Sequence, residues 1–269
     1  MNKKKIEPQR LSSVTNALRI LKSFSTFEPR KRVTELSESL GLAKSTVSRL
    51  LSTLASEGFV IKDKKSNAYQ LGLSVLTLGG IVTNNLEIHK EAAPVLNNLV
   101  NDTGETAHLA IMDGIDTIYI HKEECNHPVR ILTHLGRRNP SYCTSSGKVL
   151  LAFNNNNIVE QVIENGLITH MRNSITDPDK LRRELETIRQ EGYAVSTEEL
   201  TEGTRSVAAP IKDHTGKVVS AITVVGPIQR IKDNKIPVLS KAVIEAGKEA
   251  SERLGYDERY FKRFRKMNR

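Results

Sequence analysis

The chain has 269 residues, of which 4% are aromatic and none is Trp, and its formal net charge at pH 7 is +9. This length suffices for two domains with aliphatic cores. The absence of any run of about 18 apolar residues predicts that no helix spans a membrane. The first residues lack the apolar stretch of a secretory signal, and only two cysteines occur, so we expect a reduced, cytoplasmic protein.

The positive charge is concentrated at the two ends of the chain. Residues 1–72 hold 14 Lys and Arg against 6 Asp and Glu, residues 73–252 hold 19 against 23, and residues 253–269 hold 7 against 2. A basic module joined to a mildly acidic body is typical of proteins that bind phosphate groups. We expect the basic C-terminal tail, 253–269, to be a solvated helix end or a frayed tail.

The first 56 residues predict three helices. Residues 11–27 have apolar side chains at helical spacing, and Pro29 is expected to end this helix. Two shorter amphipathic helices follow, with Gly41 at the sharp turn between them. The outer face of the second of these helices carries short hydroxyls and cations: Lys44, Ser45, Thr46, Ser48 and Arg49. Such a face fits the DNA major groove, so we interpret this segment as a helix-turn-helix.

Two short strand-like runs, 59–63 and 68–71, flank a basic turn and predict a hairpin. Because the hairpin comes directly after the helix-turn-helix, we interpret it as a wing whose lysines contact the DNA backbone. These lysines are Lys62, Lys64 and Lys65. The alternative is a plain hairpin with a soluble tip.

The remainder of the chain predicts an α+β domain that follows a linker helix. Helices are expected over 73–86, 86–101, 146–152, 158–166, 179–192 and 237–254, with a kink or a new start at Pro94. Strands are expected over 105–112, 116–122, 129–134, 193–196, 204–212 and 218–225. The predicted division is a winged helix-turn-helix domain (1–72), a linker helix (73–86), an α+β domain (87–252) and the basic tail (253–269).

Three stretches of the second half are more specific than the helix-turn-helix. They are Pro140–Ala152 (PSYCTSSGKVLLA), Leu181–Ala194 (LRRELETIRQEGYA), and Gly203–Ile211 together with Gly216–Pro227. With the preceding winged helix they resemble the IclR family of bacterial transcription regulators, over about residues 11–252. The resemblance implies a GAF-like effector-binding domain after the DNA-binding module.

The resemblance implies a homodimer or dimer of dimers that binds a palindromic operator on double-stranded DNA. It would act as a transcription regulator, most often a repressor, of a catabolic operon. The family's DNA-reading positions fall on Lys44, Ser45, Thr46, Ser48 and Arg49. Its effector pocket maps to Ser145, Ser146, Ser196, Thr204, Ser206, Thr223 and Val225.

The predicted pocket is chemically plausible for a small metabolite. The helix start at Ser145 and Ser146 offers backbone N–H groups to a carboxylate, while the strand hydroxyls can orient a ligand. Family members that bind carboxylates often carry an acidic residue where this chain has Ser196, and a second Ser where it has Val225. The identity of the effector therefore stays open.

Two other functions are weighed against a ligand-controlled regulator. Ser145 and Lys148 match the S-x-x-K string of serine acyl enzymes, which would make the winged helix a dimerisation module, but the companion S-D-N and K-T-G strings are missing. The other alternative is a DNA-binding protein without a ligand. No cofactor or metal is predicted, because the histidines and cysteines follow no established ligand spacing. These are His108, His121, His127, His134, Cys125 and Cys143.

Overall fold

The computed structural model describes residues 12–25, 28–129, 131 and 133–259. Two compact units divide between Asn85 and Leu86. The N-terminal unit contains a helix-turn-helix and the C-terminal unit is α+β, which confirms the predicted fold class.

The N-terminal unit contains four helices and one hairpin among its described residues. Their bounds are α1 Ser12–Ser23, α2 Val33–Leu40, α3 Lys44–Ser56, β1 Val60–Lys62, β2 Tyr69–Leu71 and α4 Leu73–Asn85. A small core joins α1, α2, α3 and the hairpin through the buried side chains of Ile20, Leu36, Val47, Leu51, Val60 and Tyr69. The apolar faces predicted from helical spacing thus pack against one another.

The first helix is shorter than predicted. It ends at Ser23, so Pro29 lies six residues beyond its end and does not terminate it. Leu11 and Phe27, at the bounds of the prediction, lie outside the described residues.

The predicted linker forms helix α4, which falls in the N-terminal unit. Its apolar side chains are more than half exposed in the single chain: Leu73, Leu76, Leu78, Ile81 and Val82. In the part of the chain that the structure describes, no helix is long and apolar enough to cross a membrane.

The C-terminal unit is built on one antiparallel sheet of six strands in the order β5-β4-β3-β8-β7-β6. The strands are β3 Thr106–Asp113, β4 Asp116–Glu123, β5 Arg138–Pro140, β6 Ala194–Thr197, β7 Thr204–Lys212 and β8 Val218–Pro227. The helices are α5 Glu87–Thr103, α6 Ser145–Ala152, α7 Asn156–Glu164, α8 Pro178–Glu191 and α9 Ile236–Arg253. Residues 260–269 of the predicted tail lie outside the described residues.

The two faces of the sheet have different roles because successive side chains of a strand alternate between faces. On β8, Ile222 and Val224 belong to the core formed with α5 and α9. Ala221 belongs to the opposite core, which includes residues of α6 and α8. Thr223 and Val225 also point to this second side, where they line a pocket.

Two predictions for the C-terminal unit were wrong in detail. The described residues of 129–134 are not in a strand, and β4 pairs instead with Arg138–Pro140. The new start considered at Pro94 does not occur, because α5 is one uninterrupted helix from Glu87 to Thr103, while the alternative of a kink there stays a prediction.

Candidate functional site

The helix α3 is fixed by its inner face, which leaves its outer face to solvent. Val47 and Leu51 are fully buried against the small core of the N-terminal unit. The turn before α3 uses Gly41 in the left-handed region, at φ 66°, and its N–H donates to the Ser37 carbonyl. Because α2 and α3 share a core across this short turn, the outer face of α3 is held in a defined orientation within its unit.

All five predicted DNA-reading residues lie on this outer face. Lys44, Ser45, Thr46, Ser48 and Arg49 are exposed. Neither Lys44 nor Arg49 forms an ion pair with any described residue. The first turn of α3 contains no acidic residue, and Ala43 at its N-cap offers no capping side chain. Backbone N–H groups at such a helix start attract phosphate oxygens.

The hairpin β1–β2 presents the three predicted wing lysines to solvent. Lys62, Lys64 and Lys65 are all exposed. The Asp63 carboxylate accepts hydrogen bonds from the backbone N–H groups of Lys65 and Ser66, at 2.8 and 2.9 Å, and these bonds lower the pKa of Asp63. The Asp63 carboxylate thus stabilises the turn through backbone hydrogen bonds, and the side chains of Lys64 and Lys65 remain exposed at its tip.

A pocket lies on one face of the sheet in the C-terminal unit. It is open to solvent, and its empty space is about 630 Å³ when the solvent at its mouth is included. Its lining comes from the sheet, from the segment before β5, from the start of α6 and from the connection between β6 and β7. The lining residues are Tyr119, Ile131, Thr133, His134, Arg137, Asn139, Cys143, Thr144, Ser196, Leu200, Thr201, Thr204, Ser206, Thr223 and Val225.

The structure brings five of the seven predicted effector residues together at this pocket. Ser196, Thr204, Ser206, Thr223 and Val225 all line it. They are brought together by strand pairing, since Ser206 is the register partner of both Ser196 on β6 and Val225 on β8.

The other two predicted residues, Ser145 and Ser146, do not line the pocket. Both are fully buried, and the Ser145 hydroxyl donates to Ser206 Oγ at 2.8 Å. The physical reason is Gly147, where a Cβ would lie 2.2 Å from the Ser141 carbonyl oxygen. Because the start of α6 lies this close to Ser141, Ser145 and Ser146 are inside the domain. Thr144 lines the pocket instead, and its hydroxyl caps α6 by accepting from the Gly147 N–H at 3.0 Å.

Sequence reasoning missed the segment that precedes β5. Ile131, Thr133 and His134 line the pocket from a stretch that was predicted as a strand, and Arg137 lines it from the loop that follows that stretch. Among the described residues that line the pocket, Arg137 carries the only Lys or Arg side chain. The basic loop sequence around it was the available signal.

Two buried polar atoms beside the pocket have no partner among the described residues. Thr223 Oγ1 on β8 and His108 Nδ1 on β3 belong to paired residues of the two neighbouring strands. His108 Nε2 lies 2.5 Å from Thr133 Oγ1, and its ring stacks on Tyr119 at 4.7 Å between centroids. Burial lowers the pKa of His108 to about 3, so the imidazole is neutral at physiological pH.

The S-x-x-K string does not form an acyl-transfer site. Lys148 Nζ donates to Glu184 at 2.9 Å, to Glu199 at 2.8 Å and to the Val195 carbonyl at 2.8 Å, whereas Ser145 pairs with Ser206. The serine therefore has no hydrogen bond to a base. The neighbouring thiol of Cys143 is inert as well, since burial raises its pKa to about 12.

The histidines do not assemble a metal centre. Within the described ranges no group of three or more His, Cys, Asp or Glu side chains is arranged to hold a metal ion. His121 instead lies between His89 and Glu123, at 3.0 Å from each.

Comparisons with known proteins identify both units. Residues 13–64 match the model of the IclR helix-turn-helix domain, and residues 81–252 match that of the bacterial transcriptional regulator IclR C-terminal domain. The HTH-type transcriptional regulator KipR of Bacillus subtilis is 34% identical over 245 residues, which cover 91% of this chain and 97% of KipR. The HTH-type transcriptional repressor AllR of Salmonella typhimurium is 32% identical, with 83% of this chain and 82% of AllR covered. The crystal structure of an IclR transcriptional regulator from Alicyclobacillus acidocaldarius has a TM-score of 0.82 and 30% identity, with 92% of this chain and all of that chain covered.

Proposed function

Because the chain belongs to the IclR family of bacterial transcriptional regulators, we propose that it represses transcription from an operator that α3 reads in the major groove. A small molecule bound in the pocket of the C-terminal unit would alter its affinity for that operator. The family and the relatives compared above are regulators, and they give no support to the acyl-transfer alternative.

One observation carries the proposal for DNA. The five residues from Lys44 to Arg49 other than Val47 are exposed, whereas Val47 and Leu51 are fully buried. Hydroxyls and an arginine can donate to base edges and phosphates in the major groove. An ordinary solvated helix would carry a mixture of acidic and basic residues, and the first turn of α3 has no acidic residue.

The wing extends this contact surface. Lys62, Lys64 and Lys65 lie on the hairpin that follows α3 directly, and the module formed by residues 1–72 has a net charge of +8. Lysines at such a position neutralise phosphates without reading sequence. We therefore assign base reading to α3 and backbone contact to the wing.

Repression is supported by the name of one relative, the transcriptional repressor AllR. Effector control is supported by the pocket, whose lining combines apolar and hydrogen-bonding side chains as ligand sites do. Five residues predicted for this role from sequence line it.

The regulator is proposed to act as a homodimer on a palindromic site, as a second copy of the chain would supply the second reading helix. The exposed apolar side chains of α4 support self-association: Leu78, Ile81 and Val82 follow each other at helical spacing and are each more than half exposed. A second α4 is an occupant of matching apolar character.

The test is a gel-shift and footprint series on DNA from upstream of the gene that encodes the chain. The full-length protein should protect a two-fold symmetric site, with an affinity that falls steeply as salt rises. Arg49→Ala should weaken specific binding by about 10- to 100-fold if Arg49 reads a base. Lys64→Ala should weaken all sequences alike and lower the salt dependence by about one ion.

Arg183→Ala is the matched control, because Arg183 is an exposed arginine on α8 of the other unit. It removes the same charge and should leave DNA binding unchanged. Equal behaviour of the Arg49 and Arg183 variants, or binding that does not distinguish the site from unrelated DNA, would overturn the assignment of α3.

A further inference from the structure

We propose that the pocket binds a small polyhydroxylated carboxylate of the sugar-acid class, with Arg137 holding the carboxylate and Thr223 bonding a hydroxyl at the buried end. This inference rests on the proposed effector function and names the chemistry of that site.

The lining is dominated by hydroxyl groups. Eight of the fifteen described lining residues carry one, and Asn139 and His134 add further hydrogen-bonding groups. Its aliphatic and thiol members are Ile131, Cys143, Leu200 and Val225. A ligand that filled this space with an apolar surface would strip the hydroxyls of water without replacing their hydrogen bonds, which is unfavourable. A ligand with several hydroxyls of its own would replace those bonds.

Thr223 marks the buried end of the pocket. Its hydroxyl is buried and has no partner among the described residues, whereas the hydroxyls of Thr204 and Ser206 each form a hydrogen bond within the protein. Thr204 donates to the Thr201 carbonyl at 2.7 Å, and Ser206 accepts from Ser145 at 2.8 Å. Buried polar atoms are nearly always hydrogen-bonded in native proteins. The unsatisfied hydroxyl of Thr223 therefore points to a polar ligand atom at this position.

Arg137 supplies a positive charge at an exposed part of the lining. Arg137 is exposed. The backbone next to it is fixed to the sheet, because the N–H of Gly136 donates to the Tyr119 carbonyl of β4 at 2.9 Å. None of the described residues that line the pocket is acidic. A guanidinium group presents a planar pair of donors that matches a carboxylate.

The same observations disfavour an aromatic acid. Tyr119 is the only Phe, Tyr or Trp among the described lining residues, and its ring is already stacked on His108. The pocket therefore offers a planar ring little aromatic surface, and an aromatic ring would leave Thr223 Oγ1 without a partner.

The test measures ligand binding to the full-length protein by calorimetry and by melting temperature. The probes are D-gluconate and D-galacturonate, with neutral D-glucitol and apolar benzoate as comparisons. At least one sugar acid should bind at least tenfold more tightly than both comparisons and raise the melting temperature. A preference for benzoate, equal binding of glucitol, or no binding of either sugar acid would overturn the proposed ligand class.

Two variants test the residues. Arg137→Gln should weaken the sugar acid by at least tenfold, and the control Arg172→Gln, at an exposed arginine outside the lining, should not. Thr223→Val should weaken the ligand yet leave the melting temperature of the free protein unchanged or higher, because it replaces an unpartnered hydroxyl by a methyl group. Unchanged affinity in either variant would contradict that residue's role.

The gel shift with operator DNA, run on the same preparations without ligand, separates the two proposals. Specific DNA binding without sugar-acid binding would overturn the ligand class alone. Loss of both in a folded protein would overturn the proposed function as well.

Discussion

At the scale of single residues, Lys148 is a charged side chain buried in the C-terminal unit. Its ammonium group is 1% exposed and is held by Glu199, by Glu184 and by the Val195 carbonyl. Glu199 directly precedes Leu200 and Thr201, which line the pocket. The lysine therefore ties α6 to the connection that forms one wall of the pocket.

Replacing Lys148 by Met should destabilise the C-terminal unit by about 3–5 kcal/mol at pH 8, because it leaves Glu199 buried without its cation. Burial already raises the pKa of Glu199, and Lys148 opposes that rise. Without the lysine the folded protein would keep a proton on Glu199 to higher pH than the wild type does. The variant should therefore recover part of its deficit as pH falls from 8 to 5. Urea unfolding at the two pH values measures this.

Lys180→Met is the control for Lys148→Met. Lys180 lies on α8 and is exposed to solvent, so its loss leaves no buried carboxylate without a cation. It should change stability little at either pH. A deficit in Lys148→Met that stays constant with pH would show that lost packing, not the unpaired carboxylate, causes it.

His108 predicts a second dependence on pH, of opposite sign. Its pKa of about 3 in the folded protein lies below the ordinary value of 6.5, so the unfolded chain binds a proton first as pH falls. Stability that is present above pH 6.5 is then lost progressively towards pH 3, amounting to about 2 kcal/mol at pH 5. His108→Gln should lose less stability between pH 7.5 and pH 5 than the wild type. The exposed His214→Gln should retain the wild-type dependence.

At the scale of elements, helices and strands form where the spacing of apolar residues predicted them. The apolar spacing of Leu181, Leu185 and Ile188 is the buried stripe of α8. The Asp113-Gly114 turn joins β3 and β4, which both form where strands were predicted, and Gly114 has φ 65°. These elements are determined by local rules, namely helical periodicity and a turn that needs a positive φ.

The elements that sequence reasoning missed depend on tertiary contacts. The alternation of Val129, Ile131 and Thr133 resembles a strand, but Ile131 and Thr133 line the pocket instead of joining the sheet. Likewise, Ser145 and Ser146 were expected at the pocket because they begin a helix. Their inward placement follows from the contact between Gly147 and Ser141, which no local pattern reveals.

The turn between α2 and α3 gives an element-scale prediction. A Cβ on Gly41 would meet nothing within 4 Å, so substitution there tests backbone conformation alone. Gly41→Ala should destabilise the N-terminal unit by about 1 kcal/mol because the left-handed region is unfavourable for Ala. Gly41→Asn should lose less, since Asn tolerates this region. Thermal unfolding measures both, and equal losses would contradict the conformational explanation.

At the scale of the whole molecule, the chain separates two kinds of surface. Residues 1–72 are strongly basic, whereas residues 73–252 are mildly acidic, with 19 Lys and Arg against 23 Asp and Glu. Because an acidic surface repels the phosphates of DNA, we expect the basic module 1–72 to make the DNA contacts. Within the acidic part, Arg137 is the one Lys or Arg among the described residues that line the pocket.

The self-association proposed above depends on the exposed apolar side chains of α4. Leu78 and Ile81 are 52% and 54% exposed, and each would bury its side chain against a second copy. The double variant Leu78→Gln/Ile81→Gln replaces both apolar side chains by a residue that tolerates a helix. It should weaken the free energy of association by about 1.5–3 kcal/mol for each side chain that association buries. Light scattering coupled to gel filtration should then show a dissociation constant raised at least tenfold, and the protected operator should shrink to a half-site.

The matched control is Val238→Gln/Ile168→Gln, which removes two apolar side chains of the C-terminal unit that are somewhat more exposed than Leu78 and Ile81, at 68% and 64%. It should leave both the mass in solution and the footprint unchanged. A wild-type chain that is monomeric at micromolar concentration and still protects a full palindrome would contradict a dimer built through α4. The α4 variant and its control together therefore decide whether the exposed apolar helix serves assembly or another contact.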